Sequence, residues 1–527
     1  MRLRAPFLIS LSIAAIVLAP QINAQLPPST SSTQNDPLHR LQTPQAAGAC
    51  TTDASSSCAE AAAKILPLLM GPSPMQENLR RLTDEVGGRV TGTPAMARAV
   101  QWATAAFRAA GVDVHTEKYQ IPVTWSEGET RLELLGELKF QLRTVSVGWS
   151  PATPDGGIEA DVVDIGYGTA DDFAAASAQI KGAMLLVHTD TGSTWADLFA
   201  EYSRPPDIID RAVSGGAAAI LWVGQRERLL LYRHTNIPDG QLEKIPQAII
   251  AREDALRLSR TVLAYAGKIR VRLSIPNKIG GPMEQENVVG EIPGYEKPEE
   301  SVILGAHLDS WDLGTGALDN GCNAALVIEA ARALKATGLR PRRTIRFILF
   351  SGEEEGLLGS WAYVKTHRAE LDKVRAVVIY DSGIGRVTGY SLGGRRDIEA
   401  GVREVLKPLD SWSVNRHTLD AETGTDHFDF MIEGVPTLVA NQEEANYLPN
   451  YHAASDTLDK VDIRALKLHT VIAALTAWGI ADRVQPLGKR FSRAEIEASM
   501  KETGLDQEIK SMGLWEEWQN STRGRQP

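Results

Sequence analysis

Between residues 286 and 482, apolar β-forming runs alternate with stretches of helical periodicity, and each run ends in a side chain able to hold a metal ion. Alternation of this kind predicts an α/β fold with a mixed, mostly parallel central sheet and helices on both faces. Strands are predicted at 286–291, 301–308, 343–350, 376–380 and 436–440, and helices at 320–337, 360–367, 397–406 and 463–484. In such a sheet ligands bind beyond the carboxyl ends of the strands. That edge is where chemistry is expected.

The side chains delivered there form one set. The first strand ends in "GAHLDSWD", with His307 and Asp309, and "GALDNG" then puts Asp319 just before a helix. "LFSGEEEG" supplies Glu353 and Glu354, "VVIYDSG" supplies Asp381, and a late loop, "NYHAASDT", supplies His452. Two imidazoles and three carboxylates without a thiolate suit borderline divalent ions, zinc first and cobalt or manganese next. Five ligands serve two ions only if one is shared. A carboxylate has two oxygens to share, and Asp319, between the first two ligand clusters, is the natural bridge. Singly these residues are weak signals; their convergence on one sheet edge is what makes them a candidate site.

The motifs "HLDSWDLGTGALDNG", "SGEEEGLLGS", "YDSG" and "YHAASDTLDK" resemble the zinc-dependent exopeptidases of peptidase family M28. "GGRVTGTP" at 87–94 and "QIPVTWSEGE" at 120–129 are similar to early motifs of its carboxypeptidase Q-like branch. The resemblance implies two zinc ions, one held by His307 and Asp381, the other by Glu354 and His452, with Asp319 between them. It implies Glu353 as general base, Asp309 orienting His307, and Glu355 as an ordinary loop residue. In "GTDHFDF" it implies a structural Asp426 and a substrate-facing His427, with Tyr447 and Tyr451 lining the cleft. It further implies an inserted protease-associated domain at 130–275, small peptide substrates and a homodimer. Two departures stand out: Cys322 lies three residues after Asp319, and "YHAASDT" lacks the extra histidines of the animal enzymes.

Around this centre the chain is expected to comprise a signal peptide (1–24), a Pro/Ser/Thr/Gln-rich leader (25–57) and the first part of the catalytic domain (58–129). The insert (130–275), the main catalytic portion (276–484) and a helical tail (485–527) follow. Arg2 and Arg4, an apolar stretch and a cleavage site near Ala24 predict export, secreted or periplasmic. The apolar stretch is too short to span a bilayer, so no stable membrane insertion is expected. A formal charge of −11 without a long basic cluster argues against nucleic acid as a partner. Cys50 and Cys58 bracket a short loop and could pair after export; the residues leave this open. In the tail, Trp515 and Trp518 share a helix face and are expected to dock on the body or on a partner.

Three functions fit this reading: a dipeptidase or carboxypeptidase, an aminopeptidase with the same metals, and a binding protein that kept the fold. The last should lack ligands or base, and here all are present.

Overall fold

The strand–helix alternation produces a seven-stranded sheet with a parallel centre and antiparallel edges. In the computed structural model of the chain, residues 57–526 are described. The strand order is Asp113–Ile121, Met283–Ile292, Arg343–Phe350, Lys297–His307, Val374–Ile379, Thr437–Gln442 and Val387–Ser391. The four strands from Arg343–Phe350 to Thr437–Gln442 pair in parallel, with His307 opposite Phe350 and Ile379 opposite Val439. Their carboxyl ends therefore reach the same edge. The remaining three pairings are antiparallel. Both outermost strands went unpredicted, because they arrive without the crossover helix that betrays a parallel strand.

Strand ends match expectation to within a few residues, and the reason is burial. Val302, Ile303, Leu304 and Ala306 are fully buried, as parallel strands covered on both faces must be. One face carries the helices Cys322–Ala336 and Ile463–Asp482, together with Ser57–Met70 and Pro94–Ala109. Thr93 caps the last of these by accepting the Met96 N–H, and Pro94 occupies its first turn. On the other face Phe350, Tyr363, Val377 and Phe430 pack beneath Leu358–Thr366 and Phe428–Ile432. Ile463–Asp482 is the one helix among the described residues long and apolar enough to cross a membrane, and it lies mostly buried within the protein.

A second seven-stranded sheet opens with Arg131–Leu134 and closes with Arg270–Ser274. Its parallel centre is Ile158–Asp164, Met184–Val187, Ala219–Val223 and Gln247–Ile250. The chain enters and leaves this segment through a paired ribbon, Thr124–Ser126 with Lys278–Gly280. The tail forms Arg493–Thr503, Leu505–Ser511 and Trp515–Gln519 and docks on the body. Trp518 is buried with Phe428 and Ile432, and Arg523 pairs with Asp429 at 2.7 Å out of water. The leader, the signal segment and the Cys50–Cys58 pairing lie outside the described residues. Cys322 is buried, its thiol pushed up chiefly by burial and directed at the Leu318 carbonyl.

Candidate metal centre

Each ligand candidate sits where a strand or turn runs out at the shared edge. His307 is the last residue of its strand, and Glu353 and Glu354 follow Phe350 by three and four residues. Asp381 comes two residues after Ile379. Asp319 lies in the tight turn Ala317–Gly321 ahead of its helix, and its peptide to Asn320 is cis. His452 follows the short helix Tyr447–Asn450 with a left-handed backbone, φ +56°.

The structure brings these side chains into two adjoining groups, His307–Asp319–Asp381 and Asp319–Glu354–His452. His307 Nε2 is 2.9 Å from Asp381 Oδ1 and 3.2 Å from Asp319 Oδ1. His452 Nε2 is 2.8 Å from Glu354 Oε2 and 3.3 Å from Asp319 Oδ2. Asp319 thus turns a different oxygen to each imidazole. Separations near 3 Å are those of neighbouring donors around an ion bound at about 2.0–2.2 Å.

Electrostatics also favour cations here. Burial pushes Glu353 well above the usual carboxylate range and raises Glu354 and Asp381. Burial works against Asp319 too, but hydrogen bonds from both imidazoles hold it below its ordinary value. His452, pulled down by burial, is lifted to about 9 by Glu354 and Asp319. So many buried carboxylates around two imidazoles are costly without further positive charge. Glu354 Oε1 and Asp309 Oδ1 are buried without a hydrogen-bond partner, as atoms awaiting a cation would be. Donor set, spacing and orphaned atoms all fit divalent metal.

Four residues without an assigned metal role hold this geometry. His307 Nδ1 meets the Asp309 backbone carbonyl at 3.1 Å, whereas the Asp309 carboxylate Oδ1 stands at 3.6 Å. Asp309 Oδ2 instead accepts the Glu354 N–H at 3.2 Å, so this residue orients both metal groups. Asp456 accepts the N–H groups of Ala317, Leu318 and Asp319 at 3.1, 2.7 and 3.1 Å and fixes the turn that carries Asp319. Burial drives the Asp456 carboxyl up to about 7, against the pull of those amides and of Arg89. Arg89, itself fully buried, donates to the carbonyls of Leu308, Thr315 and Gly316 and laces the glycine-rich loop shut. Glu355 is no ordinary loop residue: it is 1% exposed and accepts the Thr91 N–H. Asp456 and Arg89 fall inside motifs that were legible as "YHAASDT" and "GGRVTGTP", but nothing in the letters said that they grip backbone.

Glu353 stands beside the cluster, its carboxylate 4.0 Å from His307 Nε2. Tyr447 donates its hydroxyl to the Asp381 carbonyl at 3.1 Å. Tyr451 stacks on His452 with ring centroids 3.6 Å apart, and Trp311 meets the same imidazole edge-on at 6.0 Å. His427 is not brought to the cluster by any hydrogen bond; it is 3% exposed, and burial holds its imidazole down to about 4. Asp426 is fully buried and pushed well up, chiefly by burial.

The segment carrying the second sheet closes one side of the site. Arg233 N–H donates to the His452 carbonyl at 3.0 Å, and Ala454 N–H to the Leu231 carbonyl at 2.9 Å. The Arg233 guanidinium pairs with Glu127 and, at 2.7 Å, with Asp312. Tyr202 and Tyr451 share a hydroxyl hydrogen bond of 2.8 Å.

Residues 287–477 match the sequence model of Peptidase family M28. Over 410 residues the chain is 30% identical to Carboxypeptidase Q of Mus musculus, spanning 77% of this chain and 85% of that protein. It is 28% identical over 307 residues to Aminopeptidase YwaD of Bacillus subtilis, 58% of this chain and 59% of the relative. The crystal structure of a peptidase M28 precursor from Shewanella amazonensis superposes with a TM-score of 0.70 at 28% identity, over 83% of this chain and 98% of that one.

Proposed function

The chain belongs to peptidase family M28 and is a metallo-exopeptidase, and from that premise we propose that it is an exported two-zinc enzyme that hydrolyses dipeptides and other small peptides. The observation that carries the two-metal reading is the split engagement of Asp319, one oxygen toward His307 and the other toward His452. In this reading His307 and Asp381 hold one ion, Glu354 and His452 the other, and Asp319 both. Cobalt or manganese could substitute, since the donor set is borderline. Residues 130–275 would be an inserted protease-associated domain, and the leader pattern at 1–24 supports export.

Zinc held by these residues would supply Lewis-acid chemistry, lowering the pKa of an attacking water and polarising the scissile carbonyl. Glu353 would take a proton from the attacking water and deliver it to the leaving amine. Its carboxylate has no fixed hydrogen-bond partner among the described residues, and burial raises its proton affinity, as a proton carrier requires. Asp309 keeps His307 and the Glu354 backbone in place while Asp456 and Arg89 hold the turn of Asp319. None of these three needs to touch substrate.

The test is metal content joined to a panel of dipeptides with free and capped ends. Elemental analysis should find two zinc ions per chain, and prolonged chelation should abolish cleavage that zinc restores. A metal-free preparation with full activity would overturn the reading. Loss of cleavage with either end capped supports a dipeptidase, our first choice. The similarity to Aminopeptidase YwaD motivates a second reading, an aminopeptidase, for which N-terminal acetylation alone should block cleavage. If C-terminal amidation alone blocks it, the enzyme is a carboxypeptidase. Efficient internal cleavage of a long peptide blocked at both ends would refute all three.

A further inference from the structure

The helix Trp195–Ser203 has two faces that do different things. Asp197, Ala200, Glu201 and Arg204 line a small cleft within the second-sheet segment. Glu201 anchors that side: it is buried, with Arg226 at 3.2 Å and His234 at 3.1 Å. Helical spacing of four and three residues places Trp195, Phe199 and Tyr202 together on the opposite face. That face meets the metal centre. Tyr202 is tied to Tyr451, which stacks on His452. Trp195 lies with its ring centroid 5.8 Å from that of Tyr447, whose hydroxyl binds the Asp381 carbonyl.

Two large rings on this face remain open: Trp195 is 42% exposed and Phe199 40% exposed. Exposed aromatic side chains one helical turn apart, beside a polar reaction centre, are the usual makings of a pocket for an apolar group. We propose that Trp195, Phe199 and Tyr447 form the wall that receives a large apolar side chain of the peptide substrate, making this helix the specificity element of the enzyme. The proposal rests on the function proposed above and deepens it. A tryptophan and a phenylalanine offer area without charge, and the nearby Arg226 guanidinium, 5.8 Å from the Tyr451 ring centroid, is already paired with buried Glu201. Asp197 and Glu201 lie on the far face, and Glu201 is already paired.

The experiment compares kcat/KM for the unblocked dipeptides Ala-Ala, Leu-Ala and Ala-Leu, using the zinc-loaded full-length enzyme and its Trp195→Ala, Phe199→Ala and Trp195→Phe variants. Wild type should favour at least one leucine dipeptide over Ala-Ala by tenfold or more. Each alanine variant should shrink that preference, together by about ten- to a hundredfold, with most of the change in KM. Trp195→Phe should keep most of it. Both positions are half-exposed, so the variants should fold; zinc content and circular dichroism check this. If wild type shows no preference for leucine, or the variants lower all three substrates by one factor, the wall does not read the side chain and the inference falls. A wild-type enzyme that binds zinc yet cleaves no unblocked dipeptide overturns the proposed function itself, a result distinct from equal cleavage of all three.

Discussion

Asp456→Asn should weaken metal binding although Asp456 is not expected to touch a metal. The carboxylate accepts the Ala317 and Leu318 N–H groups on Oδ1 and the Asp319 N–H on Oδ2. An amide in its place must turn its oxygen to the first two, which leaves NH2 against the Asp319 N–H. One buried donor then goes unpaired, at about 1–3 kcal/mol, and two charge-assisted bonds become neutral ones, together about 1–2 kcal/mol more. The penalty of about 2–5 kcal/mol falls on the residue whose two oxygens serve both metal groups. If half of it appears in the bound state alone, affinity drops about fivefold to sixtyfold at about 1.4 kcal/mol per decade. Orienting residues around metal ligands commonly show losses of about 10–100-fold. Competition with a chromophoric chelator measures the affinity, and elemental analysis the stoichiometry. Asp459→Asn is the control, since that side chain is 69% exposed three residues on. Zinc affinity of Asp456→Asn within twofold of wild type, with unchanged Tm, would refute the reasoning.

Other outcomes follow from the same geometry. Glu353→Gln should keep both metals and lose turnover by at least about 10²–10⁴-fold; an active Glu353→Gln beside an inactive Glu355→Gln would move the base by two residues. His307→Ala and Asp381→Ala should lower the metal content found by elemental analysis, and retention of two ions in either would remove it from the ligand set. Glu117→Gln tests a pH window: against burial, His367 and His115 hold Glu117 below its ordinary 4.5, and the Glu117 hydrogen bond raises His367 above 6.5. The Glu117 contribution is present above about pH 4.5 and lost as pH falls, while that of His367 is complete below about pH 6.5 and lost as pH rises past its folded value. The Tm deficit of the variant should therefore peak between about pH 5 and 6.5 and shrink by pH 9; a deficit that is flat with pH would contradict the pairing.

What the letters revealed was set by periodicity and by strand ends. Arg343–Phe350 is delimited to the residue because Thr344, Ile345, Phe347, Ile348 and Leu349 form a buried run, interrupted by half-buried Arg346 and flanked by polar turns. The strand Asp113–Ile121 was invisible because it is an edge strand with one face half open, and residues such as His115, Glu117 and Lys118 dilute its pattern. His307, Glu354 and Asp381 were legible because each ends or closely follows a strand, and Asp319 and His452 because they stand in distinctive loop motifs. Asp456, Arg89 and Glu355 were not, since their work is to bind backbone N–H and C=O groups, and every residue carries those. His427 was named from its motif, and the structure places it at the start of the short helix Phe428–Ile432, as buried as the metal candidates.

The second-sheet segment is more than a cover over a finished site. His452 has a left-handed backbone, and one of its neighbours holds each end of that kink: its own carbonyl accepts from Arg233, and Ala454 donates to Leu231. Tyr232 and Ala453 form a bridge between these two hydrogen bonds. The imidazole stacks on Tyr451 and meets Trp311 edge-on, and Tyr451 is itself held by Tyr202. Trp311 leans on Trp149, which stacks on Trp125 in the connecting ribbon. Part of the support for this candidate ligand thus comes from residues between 125 and 235, whereas the other four candidates are carried by the first sheet and the turn beside it. A change that loosens the two sheets from each other should act first on the Glu354–His452 group and leave His307–Asp381 in place. The two candidate groups are accordingly unequal by construction, and the Glu354–His452 group depends on both sheets.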